Sequence, residues 1–360
     1  LKARGSIGFS RQIVRLLNCT CNWMGTNAQH CSSILPCCVP PHPMGATLPC
    51  HTPTRACQCA EVFKERTQVK NTKVQGDGGE VVVLQGCKVW VCIVSFDYKG
   101  YGCEKHKIPP LSSCSDGERF ATLARDSGAE VSSFYDRADL RSNGFPQKAT
   151  ILKEWSRIGN AMGPNDVFVF FYSGHGALEK TTDEQRREGK DGGKTQDDAL
   201  CFVEPNGKPN YWRDHDIAQS IYKDFHPDAH LLFVTDCCHS GTVCDLSRRI
   251  LVGRPIVHLS AVRDDQEAQD LGDGGAFTCS IVETVEHLLR EDGDKERDFS
   301  VVHLFNSCHD RYNYRFANQD FCFEKTAHFD PDTFRWPLVP PHGWSVNDPL
   351  DSGPRLGCGM

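Results

Sequence analysis

The stretch His230-Leu-Leu-Phe-Val-Thr-Asp-Cys-Cys-His-Ser-Gly241 decides how the chain is read. Leu231 to Val234 form a short apolar run that passes straight into a polar turn. Such a run, bounded by turn residues, suits a strand buried on both faces in the middle of a parallel sheet. In open α/β sheets the reactive groups lie just past the carboxyl ends of these strands. Asp236, Cys237, Cys238, His239, Ser240 and Gly241 occupy that position. Asp166-Val-Phe-Val-Phe-Phe-Tyr172, followed by Ser173-Gly-His-Gly176, has the same design. One strand delivers a cysteine and the other a histidine. Parallel neighbours ending together set His175 beside Cys238, and an adjacent histidine activates a thiol that is otherwise a weak nucleophile. The backbone N–H groups of Gly176 and Cys238 are then the expected oxyanion donors.

Outward from these two strands, strand and helix patterns alternate. Val89 to Val94 reads as a buried first strand, and Gly117 to Ser127 as an amphipathic helix. Ala129 to Tyr135 reads as a strand, and Lys148 to Met162 as a helix carrying Ile151, Leu152, Trp155 and Ile158 at helical spacing. After a hydrophilic insertion at residues 179–194, Asp198 to Val203 reads as a strand and Asp214 to Tyr222 as a helix. Pro255 to Ala261 is a further strand, and Gly274 to Leu289 and Val301 to Tyr314 are helices. This alternation predicts an α/β fold on a mostly parallel sheet flanked by helices. Periodicity fades after residue 325, so 326–360 is expected to be an irregular tail.

Residues 1–80 are different. Eight of the 20 cysteines lie between Cys19 and Cys59, around the Pro-rich run Leu35 to Pro43. Cys19-x-Cys21, Cys37-Cys38 and Cys57-x-Cys59, with His30, His42 and His51, have the residue types of a zinc site. Paired cysteines in structural zinc sites are separated by two to four residues. These are separated by one or none, so the favoured reading is a flexible, irregular extension rather than a zinc module.

The net charge of −7 argues against a nucleic-acid or acidic-membrane partner. No apolar run is long enough to cross a bilayer. The cysteines beyond residue 80 are scattered, several of them within strands, which suits buried thiols better than a disulfide framework. A thiol nucleophile must stay reduced, so a cytoplasmic location is expected.

Tyr172-Ser-Gly-His-Gly176 and Asp236-Cys-Cys-His-Ser-Gly241 resemble the histidine and cysteine motifs of metacaspases, in the caspase–metacaspase family of cysteine peptidases. Leu259-Ser-Ala-Val-Arg-Asp-Asp-Gln-Glu-Ala268, followed by Gly274-Gly-Ala-Phe-Thr278, is similar to the small-subunit region of that family. The resemblance implies a caspase-like peptidase domain over residues 81–325, with a large part at 81–245 and a small part at 255–325. The short segment between Cys238 and Pro255 fits a type I-like arrangement with an N-terminal extension.

The implied activity is endopeptidase cleavage through a thioester on Cys238, with His175 as general acid and base. Cys238 is preferred to Cys237 because the family's nucleophile directly precedes His-Ser-Gly. By strand alternation Cys237 faces the opposite way, whereas Asp236 shares a face with Cys238. Asp236, Ser173 and Asp116 match the substrate pocket. An acidic pocket selects Arg or Lys before the cleaved bond, so peptides of that kind are the implied partners. Asp116 lies in Ser-Asp-Gly where the family usually has Asn-Asp-Ala. The resemblance further implies calcium, with Asp197 or Asp198, Asp214 and Asp245 as ligands. Here Asp214-His-Asp216 stands where the family has Asp-Asp-Glu. Arg248, Arg249 and the Arg/Lys-rich insertion at 186–194 are candidate self-cleavage sites, although such runs are more often plain solvated loops, and a monomer is implied. The alternative reading is an inactive caspase-like scaffold that binds partners.

Overall fold

The computed structural model describes residues 74–76, 79–81 and 87–345, except 141, 182–195, 292–297, 313–314, 317–318 and 342. The zinc-type cysteines and histidines, the 186–194 run and the tail from 346 lie outside the described residues. All described residues belong to the unit Asn71–Met360.

In chain order, the elements begin with a small hairpin, β1 (Val74–Gly76) and β2 (Gly79–Val81). Then come β3 (Val89–Ser95), α1 (Ser113–Asp126), β4 (Glu130–Tyr135), α2 (Lys148–Ala161) and β5 (Val167–Ser173). Next are β6 (Gly176–Lys180), β7 (Gln196–Val203), β8 (Pro209–Arg213), α3 (Asp214–Asp224) and β9 (His230–Asp236). The series closes with β10 (Ile256–Ser260), α4 (Ala276–Glu291), α5 (Val301–Tyr312) and β11 (Cys322–Lys325).

The main sheet has six strands in the order β11-β10-β9-β5-β3-β4. Every pair in it is parallel except β10 with β11. The strands are buried on both faces because helices cover both, which is why β5 and β9 read as unbroken apolar runs. Phe168, Phe170 and Tyr172 of β5 pack in one core with Trp155 of α2 and Ile217 and Ile221 of α3. Val167, Val169 and Phe171 pack in the other core with Phe120 of α1, Phe277 of α4 and Leu304 of α5. The expected α/β architecture is present.

Two features depart from the expected simple alternation. β6, β7 and β8 leave the main sheet and form a three-stranded antiparallel one. The link from β7 to β8 runs only from residue 204 to 208, far short of what a parallel crossover needs. β11, a short and mostly half-buried edge strand, gives no apolar run to read. Residues after it are irregular yet packed: Phe334, Trp336 and Leu338 join the core beside α4 and α5.

Candidate active site

Alternation along β5 and β9 sorts the site residues between the two faces. Leu232 and Val234 point into the core shared with α1, α4 and α5, so Asp236 follows them onto that face. Cys237 lies in the opposite core and is 1% exposed. Cys238, one residue beyond, is half-buried in the turn. Burial pushes the Cys237 thiol far above its ordinary range, so Cys237 is the inert member of the pair.

Ser173 ends β5 opposite Asp236 at the end of β9. It shares a face with Phe171, toward α1, and α1 supplies Asp116. The Ser173 hydroxyl donates to Asp116 Oδ2 at 2.8 Å. Asp116 also accepts the Gly275 N–H, at 2.8 and 2.9 Å. Asp236 accepts the backbone N–H and the hydroxyl of Thr278, at 2.9 and 2.8 Å. The three residues expected to form the substrate pocket thus converge beneath the amino end of α4. Burial holds Asp116 well above the usual carboxylate range, and the neighbouring Asp236 adds to the effect. Burial likewise lifts Asp236 to about 6, opposed by the Thr278 hydrogen bonds and reinforced by Asp270. Gly275 has no room for a side chain, since a Cβ there would collide with the Asp236 carboxylate.

Two tyrosines and a carbonyl hold the histidine turn. Tyr98 Oη accepts the His175 N–H at 2.9 Å and donates to the Cys201 carbonyl at 2.7 Å, while Tyr172 Oη donates to the His175 carbonyl at 2.9 Å. The Tyr98 and His175 rings lie 4.6 Å apart. His175 Nε2 is 2.8 Å from the Pro109 carbonyl oxygen. A carbonyl only accepts, so Nε2 carries the proton and Nδ1 is left as the basic nitrogen. Burial lowers the His175 pKa, against the raising effects of the Pro109 carbonyl and Asp270. Burial raises the Cys238 thiol, against a hydrogen bond with the Ala268 backbone. Both shifts favour a neutral thiol beside a neutral imidazole.

Gly176 begins β6 opposite Leu200 of β7. The preceding pair is bonded through the Cys201 N–H and the His175 carbonyl, at 3.0 Å. Bonded and non-bonded pairs alternate in an antiparallel ladder, so the Gly176 N–H points off β7. A Cβ on Gly176 would run into the Cys238 carbonyl. Glycine therefore lets the histidine turn lie directly against the cysteine turn. His239, at φ 52°, donates its N–H to the Gln266 carbonyl at 3.2 Å, which ties the cysteine turn to the loop after β10.

That loop contains residues the sequence patterns did not single out. Asp270 accepts the Ser112 N–H at 2.8 Å and bonds the Ser112 hydroxyl. It therefore fastens the loop to the segment whose Pro109 holds His175. Arg119, one turn along α1, has Nη1 3.7 Å from Asp116 Oδ1 and Nη2 3.2 Å from Asp273. Thr278, Pro109 and Tyr98 complete the site. Thr278 closes the Gly274–Thr278 stretch of the small-subunit region, whereas Asp270, Arg119, Pro109 and Tyr98 lie at no motif position.

The expected calcium ligands do not all meet. Among the described residues, Asp197, Asp214 and His215 place one donor atom each within 4.8 Å of one another. Asp245 is paired with Arg248, and Asp198 accepts the Thr242 hydroxyl at 2.7 Å. Arg213 Nη1 lies 3.1 Å from Asp197 Oδ2. Calcium takes six to eight oxygen ligands. A cluster with an imidazole among its three donors and a guanidinium on one carboxylate does not suit it.

Residues 121–247 match the family model for the metacaspase, peptidase C14 domain. Metacaspase-1 of Yarrowia lipolytica is 29% identical over 179 residues, covering 45% of this chain and 35% of the relative. Metacaspase III c of Phaeodactylum tricornutum is 33% identical over 101 residues, covering 28% of each chain. The chain thus spans about a third or less of the length of these curated relatives. A solved structure of a Geobacter sulfurreducens protein superposes with a TM-score of 0.52 at 18% identity, covering 70% of this chain and 99% of that one. That likeness speaks to the fold. Residues 121–247, which run from α1 through both strand-end motifs, are thus similar to the metacaspase, peptidase C14 domain.

Proposed function

We propose that the chain is a cysteine endopeptidase that cleaves after Arg or Lys. The observation that carries this reading is the buried pair Asp116 and Asp236, meeting Ser173 at the ends of the strands that deliver His175 and Cys238. Arg119 offsets one charge near this pair and shares itself with Asp273. With Asp270 close by, the carboxylates outnumber that guanidinium, and both Asp116 and Asp236 resist ionisation. A substrate Arg or Lys supplies the missing positive charge.

In the proposed reaction Cys238 Sγ attacks the scissile carbonyl while His175 Nδ1 takes the thiol proton. A C–S bond forms, and the carbonyl oxygen becomes an oxyanion facing the Gly176 and Cys238 N–H groups. Collapse breaks the C–N bond, and His175 returns the proton to the leaving amine. Water then attacks the thioester, gives a proton to His175, and the thiol recovers it as the acid leaves. Burial disfavours both the thiolate and the imidazolium, which favours proton transfer that accompanies attack over one that precedes it. Protein or peptide substrates are the partners in this reading, which includes a monomer in a reducing, cytoplasmic setting. No helix among the described residues is long and apolar enough to cross a membrane.

Fluorogenic peptides ending in Arg, Lys or Asp test the proposal, with Cys238→Ala as the control. Hydrolysis of the Arg and Lys peptides, lost in the variant, is expected. Preference for Asp would refute the acidic-pocket assignment. Failure to cleave any peptide would favour the inactive scaffold.

A further inference from the structure

We propose that Arg213 supplies from within the chain the positive charge that a calcium ion would bring to the Asp197 cluster, so that the domain neither binds nor needs calcium. The guanidinium lies 3.1 Å from Asp197 Oδ2 and 3.4 Å from Glu179 Oε2, and donates to the Lys180 carbonyl at 2.7 Å. Asp197 Oδ1 accepts the Thr181 hydroxyl at 3.1 Å. Both oxygens of the 2% exposed Asp197 are therefore engaged by protein groups.

Calcium binds only oxygens, at about 2.3–2.6 Å and in sets of six to eight. The cluster offers carboxylates from Asp197 and Asp214 and a nitrogen from His215. Asp245 is paired with Arg248 and accepts the Ser247 hydroxyl at 3.1 Å. A calcium ion on Asp197 would have to share that carboxylate with a guanidinium that does not deprotonate, and the two cations would repel at close range. Arginine also makes a permanent contact where a metal makes a reversible one. Through it β8 holds β7 at Asp197 and β6 at Glu179 and Lys180, and β6 begins at Gly176, one of the proposed oxyanion donors. Arg213 thus braces the strand that a metal would otherwise have to order.

The test has a binding arm, which is independent of the peptidase reading, and an activity arm, which rests on it. The full chain, stripped with chelator, is titrated with calcium chloride to about 10 mM, beyond the millimolar end of protein calcium sites. Heat of binding and Tm are read. The wild type is expected to show no saturable heat, an unchanged Tm, and hydrolysis of Arg-ending peptides within about twofold with or without chelator. Arg213→Gln combined with His215→Asp is expected to gain saturable binding and a calcium-dependent rise in Tm. His215→Asp alone keeps the guanidinium and should still not bind. Saturable binding to the wild type, or to His215→Asp with Arg213 intact, would overturn the proposal. So would activity that disappears in chelator. If the double variant does not fold, the wild-type and His215→Asp titrations still decide the question.

Discussion

Ser173 and Asp236 stand directly opposite one another at the ends of β5 and β9, on the face of the sheet covered by α1 and α4. The Ser173 hydroxyl is bonded to Asp116, and Thr278 at the start of α4 is bonded to Asp236. The sheet register thus assembles an acidic pocket from residues far apart in the chain. The proposed nucleophile, Cys238, stands two positions from Asp236, and His175 stands two positions from Ser173.

Asp236→Asn tests the pocket without changing its shape. Removing one partner of a buried, hydrogen-bonded charge pair costs about 2–5 kcal/mol, roughly 30-fold to several thousand-fold. The kcat/KM for Arg- and Lys-ending peptides should fall within that range. The rate at which a small alkylating agent modifies Cys238 should stay nearly unchanged, because that reagent does not enter the pocket. Parallel loss of both would show that Asp236 supports the nucleophile instead.

Gly275→Ala makes a sharper geometric claim. The added methyl would meet the Asp236 carboxylate, and the same residue's N–H holds Asp116. Overpacking of this kind costs about 1–3 kcal/mol. Thermal unfolding should show the loss in Tm, and cleavage after Arg should fall at least tenfold. A fully active, equally stable variant would mean that the start of α4 does not press on the pocket.

How much of this was legible in the sequence follows from the range of each interaction. The core strands were readable because burial on both faces leaves unbroken apolar runs such as Val167 to Tyr172. Asp236 and Cys237 separate by simple alternation, so a face could be assigned to each without coordinates. The fate of β7 was less readable. Its apolar residues call for a strand, but nothing in them says that its partners are the short β6 and β8. β11 has no apolar run at all. Asp270 was invisible for another reason: it meets Ser112 across 158 positions, from a loop with no periodicity. Arg213 reads as an ordinary charge at a helix start, and only the folded chain shows it on Asp197.

The raised Asp236 gives a pH dependence with a definite sign. Its ordinary value is 3.8, and in the folded chain it is about 6. Between these values the folded chain holds a proton that the unfolded chain has released. This group's contribution to stability is therefore present at low pH and lost as pH rises through about 6. Binding of a cationic side chain needs the ionised form, so KM for Arg-ending peptides should improve over the same rise. Asp236→Asn should remove both trends. Thermal unfolding and KM measured across this window check the claim, and trends that persist in the variant would assign them to another group.

Asp270 links the two halves of the site, and its role separates into a tether and a charge. As a tether it holds Ser112, three residues from the carbonyl that orients His175. As a charge it raises His175 and Asp236 together. Ser112→Ala weakens the tether alone, and Asp270→Asn removes the charge as well. Loss of one buried hydrogen bond costs about 1–3 kcal/mol, so each variant should lower kcat roughly five- to a hundredfold. Only Asp270→Asn should move the acid limb of kcat/KM, and it should move it to lower pH. The lost carboxylate no longer favours the protonated imidazole or disfavours the ionised Asp236. A pH profile of both variants on an Arg-ending peptide makes the distinction. An acid limb that shifts equally in both would show that Asp270 acts only by holding Ser112 in place.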